Sequence, residues 1–393
     1  MNYRLSENFK NLKPSAIREI LKHTSGTDVI PFAAGNPSVE AFPVEDIRRI
    51  INEITKRPPA TYLQYGISEG YTPLRDYLKA DLTAKGLKSD SDDLMIVSGA
   101  QQGIDLSAQI FCDPGDVILC EDPSFIGSLN AFRSHGIKLV GIPMEDDGVD
   151  LAALETSMQK NPTAKLLYLI PNFQNPSGLS TSWEKRRKIY ELAKKYGIII
   201  LEDNPYGDLR FAGEDIPSIK SLDREGLVIY CGSFSKLIAP GIRVGFVLAN
   251  SDLISKLTVA KQASDVHTNL LAQILVHDFI TGCDLSAHTK KMQALYRHKY
   301  TLMAHGLEEN VPDSIKFTKP EGGLFVLGYL PERMDMMGVV KACIERKLAI
   351  VPGSAFSVDL EKPAHTIRLN FSTPSDEQIT RGCEILGAVI KTI

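Results

Sequence analysis

The 393-residue chain contains six cysteines but no CxxC pair. Cys112, Cys120, Cys231, Cys283, Cys343 and Cys383 are scattered, which favours reduced thiols over a disulfide framework or a zinc site. The eight histidines are equally dispersed, with no H-E-x-x-H or comparable spacing, so a metal hydrolase is not indicated. No uninterrupted apolar run approaches the length of a membrane span. The start, MNYRLSENFKNLKPS, lacks the apolar core of a secretory signal. A net charge of −4 without any Lys/Arg run leaves no electrostatic footprint for nucleic acid. Internal repeats and low-complexity segments are absent too. The expectation is a cytoplasmic protein with neither nucleic acid nor membrane among its partners.

What remains is an ordinary globular composition, 43% hydrophobic and 23% charged, in a chain long enough for two domains. The middle alternates β-branched runs with helical patterns, which predicts an α/β fold with a parallel sheet covered by helices. DLMIVSGAQQGIDLSAQIF reads as strand, glycine turn and helix; DVILCEDPSF, KLVGIPM and KLLYLIPNFQNPSG each begin with a strand. In TSWE, Thr181 and Glu184 fit a capping box for a helix through KRRKIYELAKKY, which Gly197 closes before the buried strand IIILED. LVIYCGSFSK is a further strand. From about residue 285 a long helical segment precedes separated strands (KFTKPEGGLFVLGYL, LAIVPG, HTIRLNFS), a smaller α+β domain. The expected division is 1–40 packing with the small domain, 41–284 as the large domain and 285–393 as the small one.

Polar residues cluster just after the predicted strands: Gln101, Asn175, Asp203, Tyr206 and Lys236. Ligands of open α/β sheets bind outside the carboxyl ends of the strands, so these positions aim at one rim. Lys236 is either a solvated surface charge or an amine held beside an anion. Its company favours the second reading, since Ser233 and Ser235 supply hydroxyls and Arg243 supplies a planar fork for phosphate oxygens. The turn SGAQQG opens a helix whose free N–H groups and dipole favour phosphate, although it is neither a dinucleotide fingerprint nor a Walker loop. Asp203 is either a turn aspartate or the partner of a protonated ring nitrogen in an electron-sink cofactor. Tyr206 and Asn175 can hydrogen-bond a phenolic oxygen, while Asn175 before Pro176 is equally a turn former. Phe125 alone reads as core, and Arg368, between Ile367 and Leu369, as one end of a structural salt bridge.

As an ordered set, NPSG, D-x-x-Y, S-x-S-K with arginine seven residues after the lysine, and R-L-N-F resemble the fold-type I pyridoxal-phosphate aminotransferases of class I/II. The chain is most similar to the subgroup holding 2-aminoadipate and kynurenine aminotransferases and the aminotransferase-like domains of MocR-type regulators. The resemblance runs from PSAIREIL through FAAGNPSVEAFP, LQYGISEGYTPLR, EDPSF, LEDNPYGDL, KPEGGLF and VPGSAF to IRLNFS. It implies a large domain with a mainly parallel seven-stranded sheet flanked by helices, plus a smaller α+β domain. By the same resemblance Lys236 forms the internal Schiff base with pyridoxal 5′-phosphate and Asp203 pairs with the ring nitrogen. Asn175 and Tyr206 bond the 3-oxygen, and Phe125 stacks on the ring where the family often has tyrosine. Phosphate falls to Ala100, Gln101, Ser233, Ser235 and Arg243, joined by Tyr65 from the partner of a homodimer with shared sites. Arg368, with Gly35 and Asn175, takes the substrate α-carboxylate. Arg18 aligns with an arginine that meets an acidic substrate side chain, or is a solvated charge on an amphipathic helix.

The implied reaction is ping-pong transfer of an amino group from an L-amino acid to a 2-oxo acid, 2-oxoglutarate being the usual acceptor. Acidic donors (glutamate, 2-aminoadipate) and aromatic or branched ones are both open. A β-lyase or decarboxylase on the same scaffold is the rival enzyme. A non-catalytic regulator would carry a winged-helix domain ahead of PSAIREIL, which begins here at residue 14, so that reading is not expected.

Overall fold

The computed structural model describes residues 3–4, 6–10 and 28–393. Its main sheet contains β1 (Asp92–Val97), β2 (Val117–Asp122), β3 (Lys138–Glu145), β4 (Gly148–Val149), β5 (Leu166–Leu169), β6 (Ile199–Asn204), β7 (Val228–Ser233) and β8 (Gly245–Asn250). They lie in the order β1-β8-β7-β6-β5-β2-β3-β4. The expected seven strands are present, and the two-residue β4 adds an eighth at the edge. β7, β6, β5, β2 and β3 pair in parallel, while β8 is antiparallel to both β7 and β1. Because β8 alone is reversed within that run, β1 ends on the same rim as the parallel strands. Helices cover both faces, so central strands read as nearly continuous apolar runs: LLYL in β5 is buried at all four positions.

The helix Trp183–Tyr196 forms where its pattern places it, and Gly197 ends it in the left-handed conformation with φ 67°. Its N-cap is Ser182 rather than Thr181, and the capping box with Glu184 does not form. Thr181 is committed elsewhere: its N–H donates to the Pro171 carbonyl at 2.8 Å and its carbonyl accepts Arg186 Nε at 2.9 Å. The sequence pattern assigns segments to six of the seven strands, and β8 is the one it does not place. Its apolar residues follow the Lys236 stretch directly, which turns at the rim and sends the chain back between β7 and β1.

A second, antiparallel sheet has the order β11 (Val351–Pro352), β12 (Thr366–Asn370), β10 (Phe325–Tyr329) and β9 (Lys316–Phe317). The helices Leu285–Asn310 and Asp376–Ile390 pack on each other beside it. Residues 30–32 are laced to this unit: Ile30 N–H donates to Lys347 O at 2.8 Å, and Asn370 N–H to Phe32 O at 2.9 Å.

A buried ion cluster ties the start of β1 to the turn before β7. Lys220 Nζ donates to Asp92 Oδ1 at 2.9 Å, Asp223 Oδ2 at 2.8 Å and the Val228 carbonyl at 3.1 Å, with all three side chains 1% exposed. Burial alone would raise the Asp223 carboxyl, yet the adjacent ammonium holds it below the usual carboxylate range. Replacing Lys220 with Met leaves two buried carboxylates without their cation. Urea unfolding is expected to show a loss of about 3–5 kcal/mol.

Candidate active site

The rim of the main sheet gathers the polar residues that follow the strands. Asp203, near the end of β6, is 3% exposed. Its Oδ2 accepts the Tyr168 hydroxyl at 2.8 Å, while its Oδ1 has no partner. Burial pushes the carboxyl up to about 7, although the Tyr168 hydrogen bond works against that rise. Tyr206 is buried beside Asn175 and Arg368 and meets Phe325 edge-on, with ring centroids 5.9 Å apart. Burial pushes its phenol far above the ordinary value, so the hydroxyl keeps its proton at any working pH.

Arg368 lies on β12 and is 1% exposed. Its guanidinium donates to Asn175 Oδ1 at 3.2 Å and to the carbonyls of Ala33 and Ala34 at 2.7 and 2.8 Å. Phe325 and Phe356 hold its plane, with ring centroids 4.4 and 5.1 Å away, and Nε is unpartnered. No salt bridge forms at Arg368 among the described residues, contrary to the residue's simplest reading. Burial lowers it to about 10. Lys236 Nζ donates to the next carbonyl, that of Gly35, at 2.9 Å. Burial, then the charges of Arg368 and Arg243, bring this amine down to about 8. Three consecutive carbonyls, residues 33–35, thus receive two cations from different parts of the chain.

Beside Lys236 lies a cradle built from β1, β7 and the turn before β8. Ser235 Oγ accepts Arg243 Nη1 at 3.3 Å, Ser233 Oγ accepts the Ser235 N–H at 3.2 Å, and Arg243 Nη2 donates to the Ser98 carbonyl at 3.0 Å. Gly99 has φ 82°, and a Cβ there would sit 2.3 Å from Arg243 Nη2, so only glycine allows this approach. Ala100 and Gln101 open the helix Ala100–Phe111, and their N–H groups precede any intrahelical acceptor. The Gln101 side chain reaches the Gly127 carbonyl at 3.2 Å. Phe125 is half-buried where the next helix, Ile126–Ser134, begins.

Two expected residues stand apart. Tyr65 is 81% exposed, its ring edge-on to His267 at 5.7 Å, and among the described residues its side chain makes no hydrogen bond to the cluster. Arg18 lies outside the described residues.

Several contributors were missed. Tyr168 sits in an apolar strand and gave no separate signal. Buried Glu121 accepts the Ile170 N–H and Gln174 Nε2, both at 3.1 Å, and Gln174 in turn holds Ser177, which fixes the loop carrying Asn175. Behind the glycine turn, fully buried Lys261 donates to Gln102 Oε1 and Asp265 Oδ1, each at 2.8 Å, and Ser98 Oγ donates to Asp265 Oδ2 at 2.9 Å. Helical spacing alone marks Lys261 as nothing but a charge.

Among the described residues no group of three or more His, Cys, Asp or Glu could hold a metal ion, and no single helix is long and apolar enough to cross a membrane.

Residues 27–386 match the family model of aminotransferase class I and II. An aromatic-amino-acid aminotransferase of Thermococcus litoralis is 40% identical over 98% of this chain and 94% of its own length. The crystal structure of Pyrococcus horikoshii kynurenine aminotransferase in complex with PMP superposes with a TM-score of 0.95 at 36% identity, covering 99% of this chain and 97% of that one. The alpha-aminoadipate aminotransferase of Thermus thermophilus, complexed with N-(5′-phosphopyridoxyl)-L-leucine, gives 0.90 at 34% identity with the same coverage. The family match over residues 27–386 and the likeness of these relatives along nearly the whole chain show that it belongs to the class I and II aminotransferases, pyridoxal 5′-phosphate enzymes of fold type I.

Proposed function

We propose that this aminotransferase takes aromatic or long acidic L-amino acids as donors and a 2-oxo acid such as 2-oxoglutarate as acceptor, with Lys236 as its proton carrier. The observation that carries the residue assignment is Asp203 Oδ1, a buried carboxylate oxygen without a partner on the rim that also holds a lysine at about 8. A bare acceptor of that kind fits a protonated ring nitrogen, and the cradle of Ser233, Ser235, Arg243 and two free N–H groups fits a phosphate. Donor class rests on relatives that act on aromatic amino acids, kynurenine and alpha-aminoadipate by name.

Bound pyridoxal 5′-phosphate supplies an aldehyde that takes the amino group and a ring that accepts the electron pair left at the substrate Cα. Asp203 would hold the ring nitrogen in its protonated form. Asn175 and Tyr206 would bond the 3-oxygen, with the Tyr206 phenol as a fixed donor, and Phe125 would lie on the ring. Lys236 would hold the aldehyde at rest, then move a proton to and from the substrate Cα, which its lowered amine suits near neutral pH. Arg368 would fork the α-carboxylate beside Gly35 and Asn175, with its plane already fixed by Phe325 and Phe356.

Leu63, Tyr65, Ile67 and Val266 are 70%, 81%, 53% and 50% exposed around His267. A patch of that character suits a subunit contact. It supports a homodimer in which Tyr65 reaches the phosphate cradle of the other protomer. Six unpaired cysteines suit a reducing compartment, the cytoplasm.

Lys236→Ala is expected to abolish transamination and the visible absorbance of lysine-linked cofactor; a donor panel with 2-oxoglutarate, read on both proteins, checks this and ranks the donors. Mixing Lys236→Ala with Tyr65→Ala subunits should restore activity, because the hybrid dimer contains one site with both residues intact. Cofactor affinity of the cofactor-free protein should rise with pH up to about 8. Asp203 must lose its proton near 7 to face a protonated ring nitrogen, and Lys236 must lose its own near 8 to bond the aldehyde. Equilibrium dialysis across that range measures the curve.

A further inference from the structure

Tyr168 and Asp203 are diagonal neighbours on one face of the sheet. Tyr168 on β5 lies opposite Leu201 on β6, and Asp203 follows Leu201 by two residues. The Tyr168 hydroxyl donates to Asp203 Oδ2 at 2.8 Å and accepts from Ser128 Oγ at 2.8 Å. All three side chains are buried, and the Tyr168 ring is held edge-on by Phe132 with centroids 5.4 Å apart. The direction of this chain is set by chemistry. An ionised carboxylate only accepts, so the phenol must donate to it, and the phenol oxygen is then left to accept from the serine.

We infer that Tyr168 is a positioning residue for the cofactor: it occupies Asp203 Oδ2, fixes the carboxylate plane and leaves Oδ1 as the single oxygen free for the ring nitrogen. The inference rests on the assignment of Asp203 made above.

The other titratable groups around Asp203 do not answer its charge. Glu121 from β2 is pushed up to about 8 by burial and is protonated at neutral pH. Cys231 from β7, opposite Asp203 in the ladder, and Tyr206 after β6 are raised by burial and stay protonated as well. Burial likewise keeps Tyr168 itself in the phenol form. The Tyr168 O–H is therefore the one hydrogen bond that this carboxylate accepts among the described residues. Removing it leaves a buried charged oxygen without a donor, which disfavours the ionised form that a protonated ring nitrogen requires.

The test compares cofactor-free wild type, Tyr168→Phe, Ser128→Ala and Asp203→Asn by equilibrium dialysis with pyridoxal 5′-phosphate over a range of pH. Phenylalanine keeps the ring against Phe132 and removes only the hydroxyl. Tyr168→Phe is expected to weaken binding at neutral pH by roughly ten- to a hundredfold, the range for a hydrogen bond to a charged group, and to move the acid limb of the affinity curve to higher pH. Ser128→Ala, an independent arm should Tyr168→Phe fold poorly, should move the curve the same way by a smaller factor. If both variants bind with the wild-type curve while Asp203→Asn binds weakly, the role of Tyr168 is overturned and Asp203 keeps its own. If Asp203→Asn also binds like wild type, the Asp203 assignment falls and the inference with it.

Discussion

A carboxylate kept out of water near the end of a central strand is the constraint on which the rim is built. Placing Asp203 there costs free energy, because an ionised carboxylate loses its hydration and regains only what its neighbours offer. β5 on one side and β7 on the other fix the distance to those neighbours, and Tyr168 meets one oxygen. In a dry site the remaining oxygen acts on a cation with little screening, which a solvated surface aspartate would not do. The parallel centre of the sheet matters here because it is covered on both faces, so the strand ends are rigid and largely buried.

The second feature is crowding of positive charge. Arg368 from the small sheet and Arg243 from the turn before β8 both press on Lys236. Burial is the larger cause of the lowered amine, and the crowding adds to it. Guanidinium groups do not give up their protons in this range, whereas an ammonium does, so the lysine is the cation that can become neutral. Backbone carbonyls of residues 33–35 help to satisfy Arg368 and Lys236. The cradle of Ser233, Ser235 and Arg243 is braced from behind by Lys261, Gln102 and Asp265, a partly buried network that fixes the shape of the Ser98–Gly99 turn. Geometry rather than net charge is its contribution, since the Lys261 ammonium is matched by the Asp265 carboxylate.

Much of this was legible beforehand because it is local. The β6 and β7 runs, the helix Trp183–Tyr196 and its Gly197 cap follow from periodicity and turn chemistry within a dozen residues. Where two residues competed for one local role, the prediction failed: Thr181 and Ser182 both suit an N-cap, and distant Pro171 and Arg186 decided between them. β8 was obscured because GFVLAN follows a functional loop directly, and its reversal between β7 and β1 depends on β1 partners over a hundred residues away in the chain.

The sequence by itself determined the fold class, most of the strands and helices of the large domain, and the ordered set Asn175, Asp203, Tyr206, Lys236, Arg243 and Arg368 on which the family resemblance rests. These depend on local pattern and on spacing along the chain. Only the tertiary structure decided that Tyr168 faces Asp203, that Arg368 rests on the carbonyls of Ala33 and Ala34, and that Lys261 lies behind the glycine turn. Those contacts join residues 35, 335 and 159 positions apart. A hydrogen bond depends on distance and direction in space, and spacing along a sequence carries neither until the sheet has brought the strands together.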